Sequence, residues 1–504
     1  MRGATRQSQS GGRGDALFGA LPALGALAAL LAYGALAAFP GLGRAPVRWS
    51  APASAAAFGL AQLLFPASQP RRAQLLCPLN WALAAFFMQL VVLPLLVCVW
   101  GPDYGALTAL PGPGAIDASL VVSIVSFAAF SAGCSVAAPS TIAANEARPP
   151  PGPPSAFLVL AYAAVGSLGL VVGFGSFLQL PALLADPAKM AQAGAEMEGT
   201  LQGAASTFLR PFLLNAVVMA WCLWIDRRGA LSGRPARWAL SAAAVLAVLL
   251  IGASYSFNRA AFVVPLVAMA AVYSARVRRI SVPALLAGGA VLGALALASG
   301  TFRAGSATAE DLAKTSSARE AVLDLSDLST QLQVYGNAPQ FTAFLLEQAE
   351  RSPGLFNPRV LAGSVLSPVP ILGKGFRDES GFVVYNRLIY GRTTEFIDQV
   401  IPFEAEVYLC LGPLGLLGAF GLLGFAVGRL QRRFERAGPS YERFAVQFVA
   451  IWLAFLVQGA LSSLAQVVVF FLWPVYGYAL LRLIASPWAG CGAATGGFVQ
   501  PVNR

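Results

Sequence analysis

Residues 405–428 read AEVYLCLGPLGLLGAFGLLGFAVG, with Glu406 the only charge. A helix needs ~20 apolar residues to cross a bilayer, and only a helix satisfies its own backbone polar groups there. The next eight residues hold Arg429, Arg432, Arg433 and Arg436, a basic flank of the kind that marks a cytoplasmic end. Upstream lies the opposite composition. From Thr301 to Phe403 charges, turn signals and aromatics are closely spaced. The stretch therefore reads as a late membrane span entered from a large polar loop.

Working outward, similar apolar runs recur along the chain. Of the 504 residues, 57% are hydrophobic and 11% charged, against about 25% charged in soluble domains. Mean hydropathy is +0.67. The fold class is an all-α polytopic membrane protein. About twelve spans are predicted, at 16–39, 49–65, 75–100, 117–138, 157–180, 208–225, 238–254, 260–275, 282–299, 405–428, 444–461 and 467–484. The first run is too long for a signal peptide, and no clear cleavage site follows it. The organisation expected is a disordered cytoplasmic N-terminus (1–14), spans 1–9 (15–300), a mostly helical extracytoplasmic loop domain (301–403), spans 10–12 (404–485) and a disordered cytoplasmic tail (486–504). A Pro-rich connector covers 139–154, and an amphipathic interfacial helix is expected over 181–206.

The net charge of +11 invites a nucleic-acid reading, but the arginines sit in short clusters between apolar runs. Arg71–Arg72, Arg227–Arg237, Arg276–Arg279 and Arg429–Arg436 follow spans 2, 6, 8 and 10. All are even-numbered loops, which places them on the cytoplasmic side together with both termini. The long loop after span 9 is then extracytoplasmic, as is the turn Tyr255–Arg259 after span 7.

Histidine is absent, which removes imidazole bases and His-ligated metals. The six cysteines, Cys77, Cys98, Cys134, Cys222, Cys410 and Cys491, form no CxxC and leave the loop empty. They read as small apolar packing residues, with neither metal nor cofactor expected.

Inside the loop, Ser317 and Glu320 fit a capping box, predicting a helix over 318–335. A second helix is expected from Asn337 and Pro339 to about Glu350, and a short third over 378–390. The run SPGLFNPRVLAGSVLSPVPILGKGF, 352–376, reads as too rich in Pro and Gly for long regular structure. A plain cap over the spans is an equal reading of the loop helices.

Charges close to hydrocarbon are costly and mark candidate sites. Arg210 opens span 6 and Arg259 sits in the turn after span 7, each with the alternative of an interfacial side chain reaching for water, and Arg303 follows span 9. Arg359, Lys374 and Arg377 lie in the irregular run, and Arg is suited to phosphate by its planar fork. Glu404 and Glu406 open span 10. Two residues apart on a helix is about 200°, so they face opposite ways. For either, the plain alternative is an acid favoured at a helix N-terminus. The glycines of span 10, with Gly424 and Gly428 in GxxxG, read as close helix packing, and Pro413 as a kink.

Three patterns resemble the Wzy-type polymerases, the O-antigen or oligosaccharide repeat-unit polymerase family. FNPRVLAGSVLSPVPILGKG is similar to the Pro-Arg, Pro and Lys segment of that family's periplasmic loop. Glu406-Val-Tyr408 followed by Gly412 and Gly415 is similar to its acid, aromatic and glycines entering the next span. Ser256-Phe-Asn-Arg259 is similar to an Arg-bearing turn between spans. The resemblance covers roughly the last half of the chain. It implies a GT-C-like membrane glycosyltransferase at the outer face of the bacterial cytoplasmic membrane. Such an enzyme joins undecaprenyl-diphosphate-linked oligosaccharide repeats, alongside a flippase and a chain-length regulator. On that reading Glu406 is the base or acceptor-orienting group, with Arg210, Arg259, Arg303, Arg359, Lys374, Arg377 and Tyr408 as substrate or diphosphate contacts. The rivals are an O-antigen ligase, whose loop histidine this chain lacks, a lipid-linked oligosaccharide flippase or secondary transporter, and a non-catalytic assembly component.

Overall fold

Helices account for the architecture of the computed structural model, which describes residues 12–65, 67, 76–102, 110–137, 154–175, 200–228, 234–254, 259–281, 283–285, 287–291, 332–334, 336–369, 372–390 and 400–481. No strand occurs among them. The helices before the loop are α1 (Gly12–Ala38), α2 (Ser50–Leu64), α3 (Pro78–Phe87), α4 (Leu93–Trp100), α5 (Pro113–Val136), α6 (Ala156–Phe174), α7 (Leu201–Arg228), α8 (Arg234–Ala253) and α9 (Arg259–Arg276). A π-helical turn, Met88–Val92, joins α3 to α4 into one rod. The described loop contributes α10 (Pro339–Arg351), α11 (Pro358–Leu366) and α12 (Gly381–Tyr390). Then come α13 (Phe403–Arg436), α14 (Ser440–Leu456), α15 (Leu461–Phe470) and α16 (Trp473–Leu481).

Six described helices are long and apolar enough to cross a membrane: those within 21–38, 78–100, 113–136, 156–174, 201–227 and 403–436. The bent pair α15–α16, broken by 55°, makes a seventh if taken as one span. The protein is therefore an α-helical membrane protein. The runs expected as spans 7 and 8 form shorter apolar helices, 238–252 and 261–276, and α2 has 15 residues. At 1.5 Å per residue these stretches reach about 23–24 Å, short of a ~30 Å hydrocarbon core, while the whole of α8, with 20 residues, reaches ~30 Å. Most of the run at 282–299 lies outside the described residues, as do the connector at 139–154 and the tail from 482.

Local chemistry sets several boundaries. Ser155 caps α6 by accepting from the Leu158 amide at 3.2 Å, and the helix stops at Gly175, φ 72°. The rod of α3 and α4 stops at Gly101, φ 83°. The expected interfacial helix falls mainly on 176–199, outside the described residues; from Leu201 the chain already belongs to α7. Helix α1 begins at Gly12, so the segment expected to be disordered overlaps its first turn.

Two loop helices arise where expected, α10 behind Pro339 and α12 within 378–390. The first expected loop helix, 318–335, lies almost wholly outside the described residues. The run read as irregular needs correction: it contains α11. Asn357 caps that helix, its side chain accepting from the Arg359 amide at 2.9 Å, and Pro358 occupies the first helical position, where its missing N–H costs nothing.

Without a hydrophobic drive between helices in lipid, close packing holds them together. Helix α13 lies against α5 through Gly424 and Gly428, and a Cβ on Gly424 would overlap the Phe130 carbonyl. The Cys134 thiol donates to the Gly424 carbonyl at 3.2 Å. Phe58, Phe86, Phe127 and Phe130 stack beside them, with centroid distances of 4.9 Å from Phe127 to Phe58 and Phe86. A second core joins α6, α7, α8, α9, α14 and the α15–α16 bend, with Tyr441 hydrogen-bonded to Asn215 at 2.8 Å. The five described cysteines are buried and form no disulfide with one another.

Contacts gather the helix ends into two groups. In the first are the Arg48–Asp117 ion pair, Gly112 N–H to Glu347 at 2.5 Å, Gln333 to the Gly101 carbonyl at 3.0 Å and Phe403 N–H to the Gly459 carbonyl at 2.9 Å. In the second, Asp226 accepts from the Ser440 amide at 3.0 Å, Arg433 meets Glu442 at 3.0 Å, and the Leu79 amide donates to Gln431 at 3.1 Å. The described loop belongs to the first group. Its helices share one core with α4, the start of α13 and Ala460, built on Phe341, Phe344, Tyr385 and Ile401.

Candidate functional site

Pro402 ends the loop and α13 begins at Phe403, so Glu404 and Glu406 both fall in its first turn. The helix then breaks at Gly412, φ 71°, with Pro413 next, which is the kink the sequence signals. The segment 403–411 is thus a separate short helix wedged under the loop.

Glu406 is fully enclosed, 0% exposed. One carboxyl oxygen accepts from the Ser364 hydroxyl on α11, and the other from the Leu461 amide that opens α15, at 3.2 Å. The Ser364 oxygen in turn accepts from the Gly381 amide at 2.9 Å. A Cβ on Gly381 would overlap the Glu406 carboxyl. One acid therefore ties together the loop helices α11 and α12, the wedge of α13 and the N-terminus of α15.

Glu404 points to the opposite side, as the 200° separation requires. It too is buried, at 2% exposure. One oxygen accepts from Ser123 on α5 at 2.8 Å and from Thr342 on α10 at 3.2 Å. Gln89, at the π-helical turn, borders the same carboxyl. Both acids do stand in the first turn of α13, where a helix N-terminus favours them, and α10 and α11 pack over that turn and bury both. None of the ion pairs among the described residues involves either acid.

The cations fall in two places. Arg210 is buried on α7, donating to the Ser254 carbonyl at 2.7 Å and the Ser206 carbonyl at 3.3 Å, with its guanidinium 5.5 Å from the Phe174 ring centre. Ser254 stands five residues before Arg259, which opens α9. Arg359, Lys374 and Arg377 are exposed on the loop, on α11 and the two 3-10 turns (372–375, 377–379) packed near it. Arg359 is five residues before Ser364 on the same helix. Helix α15 touches both α11 and α7 and so lies between the two groups. Tyr408 is half-buried against the first core. Arg303 lies outside the described residues. No described cation reaches Glu406 itself.

Sequence reading overlooked Ser364, Gly381, Ser123, Thr342 and Gln89. The signal for Ser364 was a hydroxyl on the buried face of a short helix, beside Val360 and Gly363. Among the described residues no group of three or more His, Cys, Asp or Glu is placed to hold a metal. A cavity of about 190 Å³ opens nearby, at the first group of helix ends, lined by Pro46, Pro94, Val97, Pro113, Ile116 and the Arg48 of the Asp117 pair. Comparison of the chain with protein-family models, curated proteins and solved structures finds no match.

Proposed function

We propose that this protein is a bacterial cytoplasmic-membrane glycosyltransferase that polymerises undecaprenyl-diphosphate-linked oligosaccharide repeats on the outer face of that membrane. The observation that carries the proposal is Glu406, an enclosed acid on a broken membrane helix, held by the loop domain that bears Arg359, Lys374 and Arg377. We take α2, α8, α9, α14, the bent pair and the run at 282–299 as further spans, giving about twelve. The positive-inside pattern then puts the second group of helix ends in the cytoplasm and the loop outside.

In the reaction an acceptor sugar hydroxyl attacks the anomeric carbon of the donor glycan. The new C–O bond forms as the bond from that carbon to the lipid diphosphate breaks. Glu406 takes the hydroxyl proton, and the diphosphate leaves with both negative charges of its terminal phosphate facing loop cations. Arg210, Arg259 and Arg303 contact diphosphate or sugar from the span ends, and Tyr408 packs below. Because Glu406 is enclosed, Ser364 has to release it before an acceptor can enter, so α11 moves within each catalytic cycle. A flippase supplies substrate and a chain-length regulator acts on product. The test is deletion of the gene with analysis of surface glycan: single-repeat products support polymerisation, loss of lipid-anchored polymer with carrier-linked polymer accumulating points to a ligase, and an unchanged ladder sinks both.

Secondary transport of a lipid-linked oligosaccharide is the second reading, favoured by one observation. Two helices, α13 at Gly412 and the α15–α16 pair, are discontinuous, and transporters build sites at such breaks. Proteoliposomes that move the substrate without lengthening it would favour transport.

A further inference from the structure

One face of α13 has no role in the proposed reaction. Leu414, Leu422 and Phe425 stand exposed along it, at 82%, 69% and 38%. Arg429, Arg432 and Arg436 continue the same line toward the C-terminus. At 100° per residue all six fall within about 60° of Phe425. The opposite face, with Phe420, Val427 and Phe434, is buried. An apolar stripe thus runs straight into a stripe of three arginines.

Those arginines have little to neutralise them. None of the ion pairs among the described residues involves Arg429, Arg432 or Arg436. Of the nearby acids, Glu442 is engaged with Arg433 at 3.0 Å, and Glu435, bonded to the Gln431 amide at 2.7 Å, offsets part of the charge of Arg432 alone. Arg429 lies over the Phe425 ring, 5.6 Å from its centre, and Arg432 points back to the Gly428 carbonyl at 3.4 Å. Arg429 and Arg436 are near enough to Arg432 to repel it. Arg276, at the end of α9, donates to the Ala437 carbonyl just beyond, and Arg278 and Arg279 are exposed after it. The negative end of the α13 dipole favours cations here, but it offsets only about half an elementary charge, against three guanidinium groups.

We infer that this face of α13 binds an anionic phospholipid, its phosphate held by Arg429, Arg432 and Arg436 and its acyl chain laid along Phe425, Leu422 and Leu414. Charge complementarity selects the headgroup, and the unbroken apolar stripe selects a lipid over free phosphate. The site is ~39 Å of helix from Glu406, the kink aside, so lipid binding and glycosyl transfer are separable by experiment.

The full chain, purified in a neutral detergent, would be titrated with phosphatidylglycerol, phosphatidylcholine or inorganic phosphate while thermal unfolding and retained lipid are measured. Phosphatidylglycerol is expected to be retained preferentially and to raise the unfolding midpoint, with high salt weakening both effects. Replacing Arg429, Arg432 and Arg436 by Gln should weaken retention by on the order of fivefold per Arg, and replacement by Lys should restore most of it. Where the triple Gln variant fails to fold, Arg432→Gln alone and the salt titration of the parent decide. Equal retention of the two lipids, the same shift from inorganic phosphate alone, or unaltered retention by the Gln variants would overturn the inference.

Discussion

Glu406 has two hydrogen-bond donors, Ser364 and the Leu461 amide, and no described cation. Glu406→Ala strips both donors of their acceptor, at a cost of about 1–3 kcal/mol for the unsatisfied groups. Glu406→Gln keeps one oxygen acceptor but cannot take a proton. We therefore expect Glu406→Gln to fold, with its unfolding midpoint close to that of the parent, while polymer formation falls by at least ~100-fold. Ser364→Ala should leave the acid held by the Leu461 amide alone and change activity far less. Gly381→Ala drives a methyl into the carboxyl and should impair both folding and activity; normal thermal stability in that variant would contradict the tight fit around Glu406. The acid itself was legible from its place at the mouth of a span. Its enclosure was not, because Ser364 and Leu461 lie 42 and 55 residues away along the chain and nothing local announces them.

At the scale of elements, the span read at 405–428 lies within α13, which runs on through the arginines to Arg436 and breaks at Gly412. Gly412 takes the left-handed φ that Pro413 signals, and Gly424 packs on α5 as GxxxG suggests. Gly424→Leu should push α13 off Phe130 and cost several kcal/mol of stability, as overpacking and lost close approach do together. Thermal unfolding in detergent checks this; a midpoint matching the parent would mean the two helices are not held at that point. Helix α11 was missed because Pro and Gly were weighed by their number. Position decides: Pro358 at the first helical turn starts a helix, and Gly363 admits the Glu379 backbone.

Over the whole molecule, the membrane class was legible from composition, since 11% charged residues cannot cover a soluble protein of this size. Span number was harder to read, because a run such as 50–64 is apolar enough but forms a helix shorter than the bilayer core. The sharing of a core between the loop and the span ends could not be read at all, as it depends on contacts between Phe341, Tyr385 and Ile401. Sidedness is open to direct test. The described native cysteines are buried, whereas Lys374 and Arg278 are exposed. A membrane-impermeant thiol reagent on intact spheroplasts should label Lys374→Cys at once and Arg278→Cys only after permeabilisation. The reverse pattern would invert the topology and put the loop on the wrong side for the proposed substrate.

The most direct test of that substrate and chemistry is reconstitution of the purified chain with an undecaprenyl-diphosphate-linked repeat, followed by separation of the products by size. The account predicts a ladder of lengthened glycans with release of free lipid diphosphate, both lost in Glu406→Gln. A parent that leaves the repeat at its starting length while moving it across the bilayer, or a Glu406→Gln variant that builds the same ladder, would contradict it.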